Sequence, residues 1–183
     1  MRDYYKDLKE PVIYIAKQYA FGSGTHETTY LALEMINQYS LNNDIKLRSI
    51  ADIGCGSGIL SLFSYKLGAR NITSVDIDSD AVHCSLDNAK YNDINLNNVI
   101  LGNAKDLNNM NLKFDLVVAN IETDILIEIM ADLKKLLKEN SYLISSGILL
   151  EKESSMNNVL REKELKIIDR KRKNDWIALM LSL

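Results

Sequence analysis

The sequence predicts an α/β domain with a mostly parallel sheet of seven strands, helices on both faces and an antiparallel hairpin at the carboxyl end. Three observations carry this expectation. From residue 48 onward, short β-branched runs alternate with amphipathic stretches, the pattern of strand–helix–strand units joined by right-handed crossovers. Phe114–Asn120 shows no regular polar alternation, which suits a strand covered on both faces. Leu165–Arg170 and Trp176–Leu181 are separated only by a short polar turn around Lys173-Asn174-Asp175. A parallel pair needs a crossover of about a dozen residues or more, so these two strands form a hairpin.

Taken in order, Arg48–Ile53 reads as a strand running into a glycine turn. Ile59, Leu60, Leu62, Phe63 and Leu67 then give helical spacing, stopped by Gly68. Ile72–Asp76 is the second strand, and Asp80 to about Tyr91 a helix with Ala81, Val82, Leu86 and Ala89 on one side. Val99–Leu101 and Phe114–Asn120 are the third and fourth strands. A helix from about Asp124 to Leu137, a strand at Tyr142–Ser146 and a helix from about Leu150 to Glu162 precede the hairpin. The whole chain, residues 1–183, is expected to form a single domain with a short lead-in over residues 1–20.

Composition excludes several classes. With 22 Lys plus Arg against 25 Asp plus Glu, the charge is nearly balanced, which argues against a protein that coats nucleic acid. No apolar run approaches the roughly 18 residues of a membrane span, and the polar start is unlike a signal peptide. Cys55 and Cys84 form neither CxxC nor a zinc pattern, as expected for a cytoplasmic protein, and no metal site is expected.

Asp52-Ile53-Gly54-Cys55-Gly56-Ser57-Gly58 lies between a strand and a helix, where glycines let backbone amides approach a ligand at the carboxyl edge of the sheet. Asp76 ends the next strand, 22 residues after Gly54, in position to accept from both hydroxyls of a ribose. Dinucleotide sites favour G-x-G-x-x-G; here the pattern is G-x-G-x-G with Asp52 just upstream. An acid there suits a cofactor with a cationic amino-acid end, which points to S-adenosyl-L-methionine.

Ala20-Phe21-Gly22-Ser23-Gly24-Thr25-His26-Glu27-Thr28-Thr29, the loop Asp52–Leu60, Val75-Asp76-Ile77-Asp78, Val117-Val118-Ala119-Asn120-Ile121, Ser146-Gly147-Ile148-Leu149 and Asp175-Trp176-Ile177-Ala178-Leu179 occur in the order and approximate spacing of one family. From about Val12 to Leu183 the chain resembles the catalytic domain of the bacterial methyltransferases that modify ribosomal protein L-eleven. The resemblance implies a Rossmann-like class I methyltransferase fold and N-methylation of amino groups of a protein, with that ribosomal protein as the candidate substrate. Phe21, Thr25 and Thr29 would line the methionine end of S-adenosyl-L-methionine. Gly54, Gly56 and Gly58, with Asp52, would wrap its amino-acid portion. Asp76 would hold the ribose, Ile77 would pack on the adenine, and Asn103 and Ala104 would lie near the adenine rim. Asn120 would sit beside the methyl group and the incoming amine as the catalytic residue. Only about twenty residues precede Phe21, where the family carries an amino-terminal substrate-gripping domain, so the chain is expected to be either a fragment or a stand-alone short form. That keeps open a small-molecule or nucleic-acid substrate, or a non-catalytic cofactor-binding module, although a nucleic-acid partner is not expected.

The remaining reactive residues have plainer readings. His26 could be a base, but more simply packs or orients its loop; Cys55 is a small residue that fits the glycine turn. His83 and Cys84 are adjacent on a helix and point to different sides. Arg170-Lys171-Arg172-Lys173 alternates faces on a strand near the sheet edge, where charge guards against aggregation; it is also where RNA would bind if RNA were the substrate.

Overall fold

The computed structural model describes residues 12–15 and 24–183. Its elements are α1 (Glu27–Asn42), β1 (Ser49–Ile53), α2 (Ile59–Lys66), β2 (Asn71–Asp76), α3 (Ser79–Tyr91), β3 (Asn98–Leu101), α4 (Ala104–Asn109), β4 (Phe114–Asn120), α5 (Thr123–Lys135), β5 (Leu137–Leu149), α6 (Glu153–Glu162), β6 (Lys166–Lys173) and β7 (Trp176–Ser182). The strands form one sheet in the order β3-β2-β1-β4-β5-β7-β6. Pairings from β3 through β5 are parallel, while β7 runs antiparallel to both β5 and β6.

The continuous apolar character of β4 follows from its central position. Leu116 and Val118 pack into a cluster with Leu31, Met35 and Ile36 of α1 and Leu62 of α2. Val117 and Ala119 pack into the opposite cluster with Leu126, Met130 and Leu133 of α5 and Met156 and Leu160 of α6. Every second side chain of β4 meets helices on one face and its neighbours meet helices on the other, so no position in the middle of the strand can be polar.

Several boundaries differ from expectation. β5 is 13 residues long and begins at Leu137. Leu136 and Leu137 are both buried, so the apolar periodicity of α5 runs on into the strand, although the helix stops at Lys135. The stretch 150–162 opens with a 3₁₀ turn, Leu150–Lys152, before α6. Two helices, α1 and α4, have no counterpart among the elements expected from sequence. The spacing Leu31, Met35, Ile36, Tyr39 marks the buried stripe of α1, and Asn103 with Asp106 forms a capping box that starts α4. Among the described residues no helix is long and apolar enough to cross a membrane.

The amino ends of three adjacent strands are tied by one carboxylate. Asp115 of β4 accepts from Ser49 N–H (2.8 Å) and Ser49 Oγ (2.7 Å) of β1 and from Lys138 Nζ (2.7 Å) of β5. Arg48 Nη1 lies 3.4 Å away. Burial pushes the Asp115 carboxyl up, but the Lys138 ammonium and the Ser49 donors together outweigh it and hold the group well below the usual carboxylate range. A depressed carboxylate stabilises the fold above its unfolded value of about 3.9, and this contribution is lost as pH falls below it. Asp115→Asn is therefore expected to lower stability at pH 7 by about 1–2 kcal/mol and to shrink the loss on acidification; denaturant titrations at pH 7 and pH 3 check both.

Candidate active site

The loop 54–58 leaves β1 and is anchored to β2, with Gly54 N–H and Cys55 N–H both donating to Val75 O (2.8 and 3.1 Å). Gly58 caps α2 in the left-handed conformation (φ +77°), and a Cβ there would lie 2.4 Å from Ser85 Oγ of α3. Only glycine lets α2 start this close to α3.

Asp76, at the end of β2, accepts from Gly56 N–H at Oδ2 (2.8 Å) and from Asp78 N–H at Oδ1 (3.0 Å). It is partly exposed, and each oxygen retains a second lone pair for a ligand. The adjacent Ile77 is 78% exposed, an apolar side chain offered to solvent beside that carboxylate. Asn103 lies across the β3–α4 turn, but its side-chain oxygen already accepts from Lys105 and Asp106 N–H (2.8 and 3.3 Å). Ala104 is 3% exposed and packs into the core with Leu107, so only its main chain could meet a ligand there.

Asp52 is enclosed rather than set in an open cleft, at 1% exposure beneath the loop. Its Oδ2 accepts from Ser61 N–H (3.1 Å) and Ser61 Oγ (2.6 Å), and Ser61 Oγ in turn contacts Ser74 Oγ (2.7 Å). Its Oδ1 is buried without a partner among the described residues. Burial pushes the carboxyl up to about 6, opposed by the Ser61 donors and reinforced by the nearby Asp76 charge. Burial, with the charges of Asp52 and Asp76, also pushes the Cys55 thiol far above its ordinary range, so it is no nucleophile at neutral pH.

On the other side, Asn120 ends β4 and donates from Nδ2 to Thr29 Oγ1 of α1 (3.4 Å). The first turn of α1 is held from below by Ser146 Oγ of β5, which donates to Thr28 O (2.8 Å). The chain after Asn120 is fixed by Ile121 N–H donating to Ser146 O (3.1 Å) and by Thr123 Oγ1 donating to Gly147 O (3.0 Å). Gly147 (φ +92°) sits at a register shift between β5 and β7, where a Cβ would fall 2.2 Å from Ile121 O. Ser61 and Thr123 support the site without a signal in the sequence, whereas Ser146 and Gly147 lie in one of the segments that carry the family resemblance.

Thr25 is exposed just before α1. Phe21 lies outside the described residues. His26 caps α1, with Nδ1 accepting from Thr28 N–H (3.4 Å), and its ring meets Trp176 edge-on at 5.1 Å. This is the packing and orienting role. His83 is exposed and bonded to Ser79 O (2.7 Å), Cys84 is buried, and no group of three or more metal-binding side chains occurs among the described residues.

The basic run is occupied within the fold. Arg170 forms a two-pronged pair with Glu153 (2.6 and 2.9 Å), Lys171 contacts Glu34 (2.8 Å), Arg172 Nε donates to Asn174 O (2.8 Å), and Lys173 Nζ lies 3.7 Å from the centre of the Tyr30 ring.

A doubly wound sheet with this strand order, a glycine loop after β1 and an acid ending β2 defines the architecture of the class I methyltransferases. The family model described as "Ribosomal protein L11 methyltransferase (PrmA)" matches residues 1–183, and the chain belongs to that family. Relatives named ribosomal protein L11 methyltransferase include one from Campylobacter concisus, 39% identical over 87% of this chain and 54% of its own length. Another, from Thermosipho melanesiensis, is 35% identical over 98% of this chain and 64% of its own length. The chain thus spans between about half and two thirds of the length of these curated relatives. The crystal structure of ribosomal protein L11 methylase from Lactobacillus delbrueckii subsp. bulgaricus superposes with a TM-score of 0.84 at 32% identity, covering 94% of this chain and 85% of that one. An S-adenosylmethionine-dependent methyltransferase from Clostridium acetobutylicum shares the fold (TM-score 0.70) at 14% identity, over 87% of this chain and 93% of that one.

Proposed function

We propose that this chain is the catalytic domain of an S-adenosyl-L-methionine-dependent N-methyltransferase acting on amino groups of a protein in the cytoplasm, with ribosomal protein L11 as first candidate substrate. The observation that carries the reading is the meeting of Asn120 and Thr29 at the carboxyl end of β4, across from the glycine loop and Asp76. The names borne by the relatives supply the candidate substrate.

The residues fit the cofactor's chemistry. Asp76 and the exposed Ile77 offer a carboxylate for a ribose and an apolar face for a base. The unpartnered Oδ1 of Asp52 is a buried negative charge that a nearby ammonium would relieve. When bound, S-adenosyl-L-methionine supplies an activated methyl group on a sulfonium, so no metal and no covalent enzyme intermediate are required. This chain's residues have to align the acceptor amine. Asn120 spends Nδ2 on Thr29, which leaves Oδ1 to accept an amine N–H and orient the nitrogen lone pair. A lysine amine, ordinarily near pKa ~10.4, must arrive or become neutral; a carboxamide acceptor does not favour its charged form as a carboxylate would.

Asp52 gives this reading a pH signature. A carboxyl raised in the folded state favours the fold below its unfolded value of about 3.9, and that contribution is lost as pH rises through about 6. Binding of the cationic cofactor pulls the other way, because the charged carboxylate is the partner it needs. Affinity for S-adenosyl-L-methionine is expected to fall as pH drops below about 6, and Asp52→Asn is expected to flatten that dependence. Calorimetric titrations at pH 5 and pH 7.5 test it.

The activity itself is tested with methyl-labelled S-adenosyl-L-methionine, the purified chain and a cell extract separated into protein, RNA and small-molecule fractions. Label in a protein band of the mass of ribosomal protein L11 is the expected result. Label only in RNA or small molecules overturns the protein substrate, and no label in any fraction despite cofactor binding overturns the assignment of catalysis to this chain alone.

A further inference from the structure

The β6–β7 hairpin reaches across to the start of α1 at positions spaced along one side of that helix. Asn174 Nδ2 donates to Glu27 Oε1 (3.1 Å), Lys173 Nζ lies over the Tyr30 ring at 3.7 Å, and Lys171 Nζ contacts Glu34 Oε1 (2.8 Å). Residues 27, 30 and 34 share a helix face, so strand and turn meet a continuous stripe. Trp176, just past the turn, meets His26 edge-on, and the turn is itself anchored where Leu150 N–H donates to Asp175 O (2.9 Å). From the inner side, the same first turn of α1 is held by Ser146 and by the Asn120–Thr29 contact. The turn of helix that carries Thr29 is gripped from two directions, and the outer grip comes from a distant part of the chain.

We propose that Lys173 and Asn174 are positioning residues for the methionine end of the cofactor, setting the first turn of α1 and through it Thr29. The proposal rests on the methyltransferase reading above. Neither side chain touches Asp76 or Ile77 among the contacts described, so the adenosine end of the site stands apart from this grip. Asn174 has a left-handed backbone (φ +53°), which makes glycine the substitution that keeps the turn while deleting the amide. Lys173→Met keeps the aliphatic stem and removes the cation, and Lys173→Arg keeps a cation over the ring.

The experiment is calorimetric binding of two ligands to the full chain and to the K173M/N174G double variant. One ligand is S-adenosylhomocysteine, which has the amino-acid end; the other is 5′-methylthioadenosine, which lacks it. The expected result is a loss on the order of tenfold for S-adenosylhomocysteine, from one cation–π contact and one hydrogen bond, with 5′-methylthioadenosine affinity unchanged. The single variant Lys173→Arg with Asn174 intact should bind both ligands like the parent. Equal affinity of parent and double variant for S-adenosylhomocysteine overturns the proposal, and so does an equal loss for both ligands, which marks general loosening of the fold. A parent chain that binds neither ligand refutes the cofactor assignment itself, so the two failures are told apart.

Discussion

Asp76→Ala is expected to lower affinity for S-adenosyl-L-methionine by at least about 100-fold. Hydrogen bonds to a charged group contribute about 1.5–3 kcal/mol each, and a ribose would make two to this carboxylate. The variant also strips Gly56 N–H of its partner, since Asp76 Oδ2 is the acceptor that holds the middle of the glycine loop at 2.8 Å. Ligand contacts and loop geometry fail together, which is why this is the largest effect on cofactor affinity expected anywhere in the site. Asp76→Asn separates the two contributions. An amide can still accept from Gly56 but offers one acceptor oxygen instead of two, so an intermediate loss is expected. Calorimetry on the three proteins decides the matter, and unchanged affinity in the alanine variant removes the ribose assignment.

Asn120→Ala should leave cofactor affinity within about twofold and depress turnover by about 10²–10³-fold, the usual cost of deleting one preorganised polar group at a reacting centre. The substitution removes the Oδ1 acceptor for the amine and the 3.4 Å contact to Thr29 Oγ1. The backbone around it stays fixed by Ile121 N–H on Ser146 O and by Thr123 on Gly147 O. The defect should therefore show in kcat and not as a loss of fold. Asn120→Asp makes a sharper comparison: it keeps acceptor oxygens but favours the protonated amine, so turnover stays low and its pH optimum moves upward. Single-turnover rates with methyl-labelled cofactor across pH 7–10 separate these outcomes (a window of roughly that width brackets both amine types), and parental turnover in the alanine variant ends the role given to Asn120.

The parts of the fold readable from sequence were those that long-range packing could not disguise. The unbroken apolar run of β4 and the short turn at 173–175 each admit one arrangement, and they place the parallel core and the antiparallel strand correctly. Helix α1 is harder to read, because its buried stripe Leu31, Ala32, Met35, Ile36 and Tyr39 is interrupted by polar residues of low helix propensity such as Asn37 and Ser40. Strand β5 was read short because a helix-compatible apolar pair, Leu136-Leu137, straddles the junction. At the candidate site, one-dimensional reading found positions but not orientation. It placed Asp52 and Ala104 near the cofactor without showing that both side chains are enclosed, Asp52 beneath the glycine loop and Ala104 in the core. It read Arg170–Lys173 as a solvated edge with RNA binding held in reserve; β6 is the edge strand and Arg170, Arg172 and Lys173 are exposed, but the partners Glu153, Glu34, Asn174 and Tyr30 were not legible. All of those partners but Asn174 lie well away in sequence, beyond what spacing within the run can reveal.

Gly147 has a consequence for how such a domain can diversify. With Ile121 O at 2.2 Å from any Cβ placed there, no other residue is admitted without moving the turn that follows Asn120. Gly58 is closed in the same way by Ser85. The ground on which sequence can drift is instead the outward side of the same rim, where Glu122, Asp124, Ile125 and Glu151 are exposed. A lineage that retargets this scaffold to a new acceptor is thereby channelled into changing the approach to the reaction centre while inheriting the centre itself unaltered.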